Sequence, residues 1–294
     1  MAIRGRIADL PIGFSIDPDQ GLSEADEAQL LRRAAELGYD SAWTPSRADV
    51  AAFDRCLRWH EASGLPVGIS AVPASGQPPE FYAQHARRVS EKTGRRFTLG
   101  VGSGQMPHPA ETMRPYLLDL QRLLSPEVPL YLAALGPRML RRAAELADGV
   151  ALNWCTAEQV AWSRGQLADA ANAAGRPVPR VIEYIRTAVD ADVELARRTV
   201  AAAALGYALR VPPYRRHFER MGFGEELRRI EATGDAPNPE FIARVAAAGR
   251  PGETRAQVER LAIGLDLPIV RILVVRRGDV ESARRVLEEC RPTH

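Results

Sequence analysis

The chain has 294 residues, 46% of them hydrophobic, which suffices for one large core and falls within the size of a single α/β barrel. Its 39 basic and 37 acidic residues leave a net charge of +2, which gives no footprint for nucleic acid or an anionic membrane and points to a small-molecule partner. Cys56, Cys155 and Cys290 lie far apart with no CxxC or histidine pair, so neither disulfides nor a metal site is expected; Met1 to Leu10 carries three charges and no signal-like run, and no uncharged stretch reaches the ~18 residues of a membrane span, so a cytoplasmic protein is expected.

Short β-type runs alternate with long amphipathic segments, the pattern of a parallel sheet covered by helices. Ile12 to Ile16 is a first strand, and Ser23 opens a helix with an acidic first turn that ends at Gly38. Strand two is Ser41 to Thr44, followed by a helix over Asp49 to Ser63; strand three is Pro66 to Val72, with a helix over Pro79 to Thr93. Phe97 to Val101 is strand four, and one helix fits between Gln105 and Val128. Leu130 to Ala134, Val150 to Asn153 and Arg180 to Ala188 make strands five, six and seven, with helices over Arg138 to Ala147 and Ala157 to Ala174. A longer helical excursion, Asp192 to Ala248, precedes the helix Thr254 to Gly264 and strand eight, Ile269 to Val275. Eight strand-helix units predict one closed (β/α)8 TIM barrel spanning residues 1–294, with 192–248 as an insertion serving as a lid, a dimer contact or a solvated packing helix.

Binding loops of such barrels follow the strand C-termini. Ala134-Leu135-Gly136-Pro137-Arg138 runs a strand into a helix whose first N–H groups face outward, a site for phosphate with Arg138 beside it; an ordinary strand-to-helix turn fits the same residues. Gly102-Ser103-Gly104 lets a flat ligand approach the backbone, although without a third glycine it is no dinucleotide fingerprint. Ala71-Val72-Pro73 is read as a bulge, a strained peptide or a plain loop. Among the histidines, His108 is best placed to move a proton near neutral pH; His60 and His85 fall within helices, His294 is terminal, and a helix surface is the simpler reading of His217. The absence of HExxH, GxSxG and Walker A patterns disfavours hydrolases, phosphotransferases and zinc enzymes.

Three stretches together resemble the bacterial luciferase-like family: Glu36-Leu37-Gly38-Tyr39-Asp40-Ser41-Ala42-Trp43, Gly94 through Gly104, and Val128 through Pro137 with Ala147-Asp148-Gly149-Val150. Within it the chain is most similar to a short subgroup of coenzyme F420-dependent oxidoreductases, which shares a motif like Pro213-Tyr214-Arg215-Arg216 followed by Met221-Gly222-Phe223. The resemblance implies a barrel that binds F420, or alternatively FMN, at its strand ends, and a homodimer. It implies a cis peptide at Ala71-Val72, and a cofactor ring near Ser46, Ala71, Val72, Gly102, Ser103 and Gly104. Phosphate contacts would come from Leu135, Gly136 and Arg138 and from the end of strand six, Asn153 to Thr156.

Where sugar-phosphate dehydrogenases of the family carry a histidine base and a glutamate acid, this chain has Arg47 and Gln105, neither of which transfers a proton. Proton transfer then falls to His108, Tyr214 or the substrate itself, while Trp43, Arg47, Gln105 and Trp154 are candidates for substrate contact. The short segment after strand four implies an open mouth, unless the excursion covers it. Three functions are carried forward: F420-dependent hydride transfer, an FMN-dependent monooxygenase, and a cofactor-free scaffold in which Trp43, Trp154 or Arg47 fills the ring pocket.

Overall fold

The structure, a computed structural model, describes residues 10–293; residues 1–9, on which the reading of the leader rests, and His294 lie outside them. Nine parallel strands form one sheet: β1 (Gly13–Ile16), β2 (Ser41–Thr44), β3 (Val67–Pro73), β4 (Phe97–Gly102), β5 (Leu130–Ala133), β6 (Gly149–Asn153), β7 (Arg180–Val189), β8 (Ala247–Gly249) and β9 (Leu267–Ile272). Pairing runs from β6 through β1 to β9 and β7, and a further β6–β7 ladder closes the ring, so eight strands make the predicted barrel.

The ninth strand, β8, is a correction to the expected all-helical excursion. It pairs with the outer end of β7 (Thr187↔Ala247 to Val189↔Gly249), beyond the stretch that β6 occupies. Ala246 to Gly249 is a buried run of small residues without helical periodicity, too short to stand out as a strand in sequence. The eighth barrel strand ends at Ile272 rather than Val275, because Val274 N–H turns aside to the Gln20 side chain at 2.6 Å.

Around the barrel lie α1 (Glu24–Glu36), α2 (Ala51–Ser63), α3 (Pro79–Lys92), α4 (Pro109–Leu123), α5 (Pro137–Leu146), α6 (Ala157–Ala174), α7 (Val193–Arg210), α8 (Pro212–Phe218), α9 (Gly224–Thr233), α10 (Pro239–Ala243), α11 (Thr254–Leu261) and α12 (Val280–Glu289). Their starts follow local chemistry. Ser23 and Asp26 form a reciprocal capping box on α1, Thr156 caps α6 through Gln159 N–H, and Asp192 caps α7 through Leu195 N–H. The barrel interior is filled by Trp43, Tyr131, Ala151, Ile182, Tyr184, Leu267 and Ile269. A second cluster joins Trp154 and Ala188 of the barrel to Ala196, Val200, Ala204 and Ala208, the buried stripe of α7, and to Phe218, Phe223 and Phe241. The excursion therefore lies on the barrel, against the ends of β6 and β7. No described helix is long and apolar enough to cross a membrane.

Candidate active site

Strand alternation sends Gly13, Ser15, Trp43, Gly102, Ala133, Asn153, Tyr184, Arg186, Ile269 and Arg271 toward the barrel axis. At the C-terminal mouth these residues form two unlike walls. One is small. A Cβ placed on Gly102 would meet only the Cβ atoms of Ala133 at 3.4 Å and Ala71 at 3.6 Å. This leaves a flat face where β3, β4 and β5 end.

Loop packing fixes that face. Gly104, at φ +60°, leaves room for Ser75, whose hydroxyl accepts from Gln105 N–H at 3.0 Å; Gln77 reaches the Ala48 carbonyl at 2.9 Å, and Tyr82 donates to the Pro73 carbonyl at 2.8 Å. The non-prolyl cis peptide is Ser70–Ala71, one residue before the expected Ala71–Val72, and the register with β4 shifts between Ile69 and Val72, so the strand carries a bulge. Ser46 donates its hydroxyl to the Arg47 carbonyl, and Arg47 and Gln105 are exposed at the rim. Ser103 is half-buried beside Gly102.

The opposite wall is charged. Arg271 forks onto Asp17, with Nε and Nη2 at 2.6 to 3.1 Å from its oxygens. Its register partner Arg186 donates to Asn153 Oδ1 and lies 4.0 Å over the Trp154 ring. Asn153 donates in turn to the Tyr214 hydroxyl, which α8 brings over the mouth, and Tyr214 packs edge-on against Tyr207 at 4.7 Å. Burial raises the Tyr214 hydroxyl to about 12, so it keeps its proton at neutral pH. Burial, with the charge of Arg271, lowers Arg186 to about 10.

Placement of the aromatic candidates follows from this layering. Trp43 is 3% exposed within the barrel core, bonded to Ser41, and Trp154 is fully buried beneath Arg186. His108 lies on the exposed loop before α4, at φ 45°, away from the two walls' hydrogen bonds.

A third region lies where the chain leaves β5 and β6. Gly136 and Pro137 start α5, and Thr156 starts α6. Arg138 turns outward onto Glu111 of α4. The cation over this turn is Arg220, which donates to the Leu135 carbonyl at 2.6 Å and lies 3.8 Å from a Cβ position on Gly136. It is held by His217, 3.2 Å away. His217 is fully buried, which corrects the helix-surface reading: burial, followed by the charge of Arg220, lowers it to about 4. The neutral ring then donates from Nε2 to the Trp154 carbonyl at 3.2 Å and accepts from Arg220 at Nδ1. From Arg220 a cleft of about 380 Å³ runs along the start of α6, lined by Thr156, Gln159, Trp162 and Arg244. Glu158 also lines it and pairs with Arg244 at 3.5 Å.

Sequence reasoning missed Arg220 and Arg186 as site residues and read His217 as helix surface. Arg220 and His217 sit inside the Pro213 to Phe223 motif, where Tyr214 and His217 stand out, and Arg186 is hidden in a strand with no neighbouring signature.

The sequence profile of the luciferase-like monooxygenase family matches residues 108–264, more than half of the chain. The chain belongs to that family. Luciferase-like proteins of known structure share its fold over nearly their whole length. Coenzyme F420-dependent tetrahydromethanopterin reductase from Methanopyrus kandleri superposes with a TM-score of 0.72 at 18% identity, covering 95% of this chain and 98% of the other. An F420-dependent secondary alcohol dehydrogenase gives 0.69 at 15% identity, covering 94% and 99%. The oxygenating constituent of 3,6-diketocamphane monooxygenase from Pseudomonas putida, bound to FMN, gives 0.66 at 15%, covering 96% and 98%. The same fold is thus shared by two F420-dependent enzymes and by an FMN-bound monooxygenase component.

Proposed function

We propose that this protein is a coenzyme F420-dependent oxidoreductase that passes hydride between the deazaflavin and a small organic substrate. The observation that carries the reading is the arginine-lined cleft at the starts of α5 and α6. Arg220 donates to the Leu135 carbonyl beside the Gly136 turn, and a phosphate at the start of α5 would receive both its charge and helix-terminal donors. Past Trp162, Arg244 offers a second cation, for which a tail carboxylate would compete with Glu158. F420 carries an acidic oligoglutamate tail beyond its phosphate and FMN does not, so only F420 would use the second cation. Arg220 takes the phosphate role that the resemblance assigned to Arg138.

The small wall of Ala71, Gly102 and Ala133 suits a flat ring laid against backbone. When bound, a deazaflavin supplies a carbon centre that accepts or gives a hydride directly. The protein's own part is then positioning and electrostatics. Tyr214 holds its proton and orients, while His108 stays exposed on the loop before α4.

Titration of the purified protein with F420 and with FMN tests the proposal. F420 should bind at least tenfold more tightly than FMN, and Arg244→Ala should narrow that gap by weakening F420 alone. Equal or tighter FMN binding would move the protein to the monooxygenase class, and binding of neither would leave the scaffold.

A further inference from the structure

Arg186 is 1% exposed and makes no ion pair among the described residues. The carboxylate on its wall, Asp17, is already engaged by both arms of Arg271. Its Nη1 is used by Asn153, and its Nη2 has no hydrogen-bond partner. Buried charges are ordinarily paired, and an orphaned guanidinium nitrogen is costly. No carboxylate on this wall is left for Arg186, whose charge meets only the ring faces of Trp154 at 4.0 Å and Tyr207 at 5.2 Å, since Asp17 is taken by Arg271. Next to it the Tyr214 hydroxyl accepts from Asn153 and keeps its own proton for donation. The hydroxyls of Ser15 and Tyr184, deeper in the mouth near Arg271, also lack partners.

We infer that the substrate carries a single carboxylate, received by Nη2 of Arg186 and the hydroxyl of Tyr214 on the β7 side of the mouth. A monoanion balances the one cation, and the guanidinium fork matches a planar carboxylate. A phosphate dianion would leave excess negative charge, because Asp17 already neutralises Arg271. The small wall of β3 to β5 lies across the barrel, so the anchor and the ring occupy different sides. Asn153 and Tyr214, both half-buried, are joined to Arg186 by a chain of hydrogen bonds, so the acid would bind at the end of that chain. The assignment of this anion as substrate rests on the oxidoreductase reading; the anion site itself does not.

The test uses cofactor-free protein at constant ionic strength and follows tryptophan emission, since Trp154 lies under Arg186. Acetate, butyrate and benzoate are titrated beside acetamide, butyramide and benzamide. At least one acid should saturate the signal at tenfold lower concentration than its amide. Arg186→Gln should abolish that preference, and Tyr214→Phe should weaken the acid several-fold. Arg186→Gln should bind F420 within twofold of the parent. Equal binding of acids and amides, no saturable binding of any acid, or an acid preference surviving Arg186→Gln would each overturn the inference. A parallel loss of F420 affinity in Arg186→Gln would do so too, by making Arg186 a cofactor contact. Failure of F420 to bind the parent would count against the proposed function and leave the acid titration valid.

Discussion

Glu183 shows how a single side chain ties β7 to the loop that follows β6. It is buried, accepts from Cys155 N–H at 2.6 Å, and leaves its second oxygen without a partner. Burial raises its carboxyl from 4.5 to about 8, so the folded state holds a proton that the unfolded chain releases. Its contribution is fully present below pH 4.5 and is lost as pH rises through about 8. Glu183→Gln should therefore flatten the fall in melting temperature over that window and stabilise the protein at pH 8 by on the order of 2 kcal/mol. Melting curves from pH 5 to 8 check this; an undiminished pH slope in the variant would place its origin elsewhere. The same scale explains why sequence found so little of the site. Arg186, His217 and Arg220 are ordinary residue types with no spacing signature; Arg186 and His217 matter through burial, and Arg220, which is exposed, through its reach to the Gly136 turn.

Glycines set the fit between neighbouring strands. A Cβ on Gly68 of β3 would lie 2.5 Å from ring atoms of Trp43 on β2, so the indole fills the space that the missing side chain leaves. Gly149 stands in the same relation to the Tyr131 ring at 2.5 Å. Gly68→Ala should cost about 1 to 3 kcal/mol through overpacking, read as a lowered urea midpoint at unchanged slope; a neutral substitution would mean that the indole has room to move. Elements of this kind were legible in sequence, because each strand is a short apolar run between turn residues and several helices open on a capping residue. Ser41–Thr44 and Ala157–Ala174 fall where periodicity places them. β8 and the position of the cis peptide were not, since three small residues carry no period and the two peptides around Ala71 look alike in sequence.

Across the whole molecule, the excursion's core contains barrel residues: Trp154 and Ala188 lie in one cluster with Phe218 and Phe241. We propose that barrel and excursion form one cooperative unit. Thermal unfolding followed by tryptophan emission and by far-ultraviolet dichroism should then give coincident transitions, whereas two separated transitions would make the excursion an independent domain. Covering of the β5 to β7 side by α8 also answers the question of the open mouth, since Tyr214 and Arg220 reach the strand ends that the short β4–α4 segment leaves bare. That long-range contact lies between residues 61 and 85 positions apart, beyond the reach of local pattern.

In the proposed function, Arg220 holds the phosphate of a deazaflavin between α5 and α6. The most direct measurement compares the affinity of F420 with that of its riboside, which lacks phosphate and tail, in the parent, Arg220→Ala and Arg138→Ala. The parent and Arg138→Ala should favour F420 by at least tenfold, and Arg220→Ala should lose most of that preference while binding the riboside unchanged. A preference that survives Arg220→Ala, or disappears in Arg138→Ala, would contradict the account.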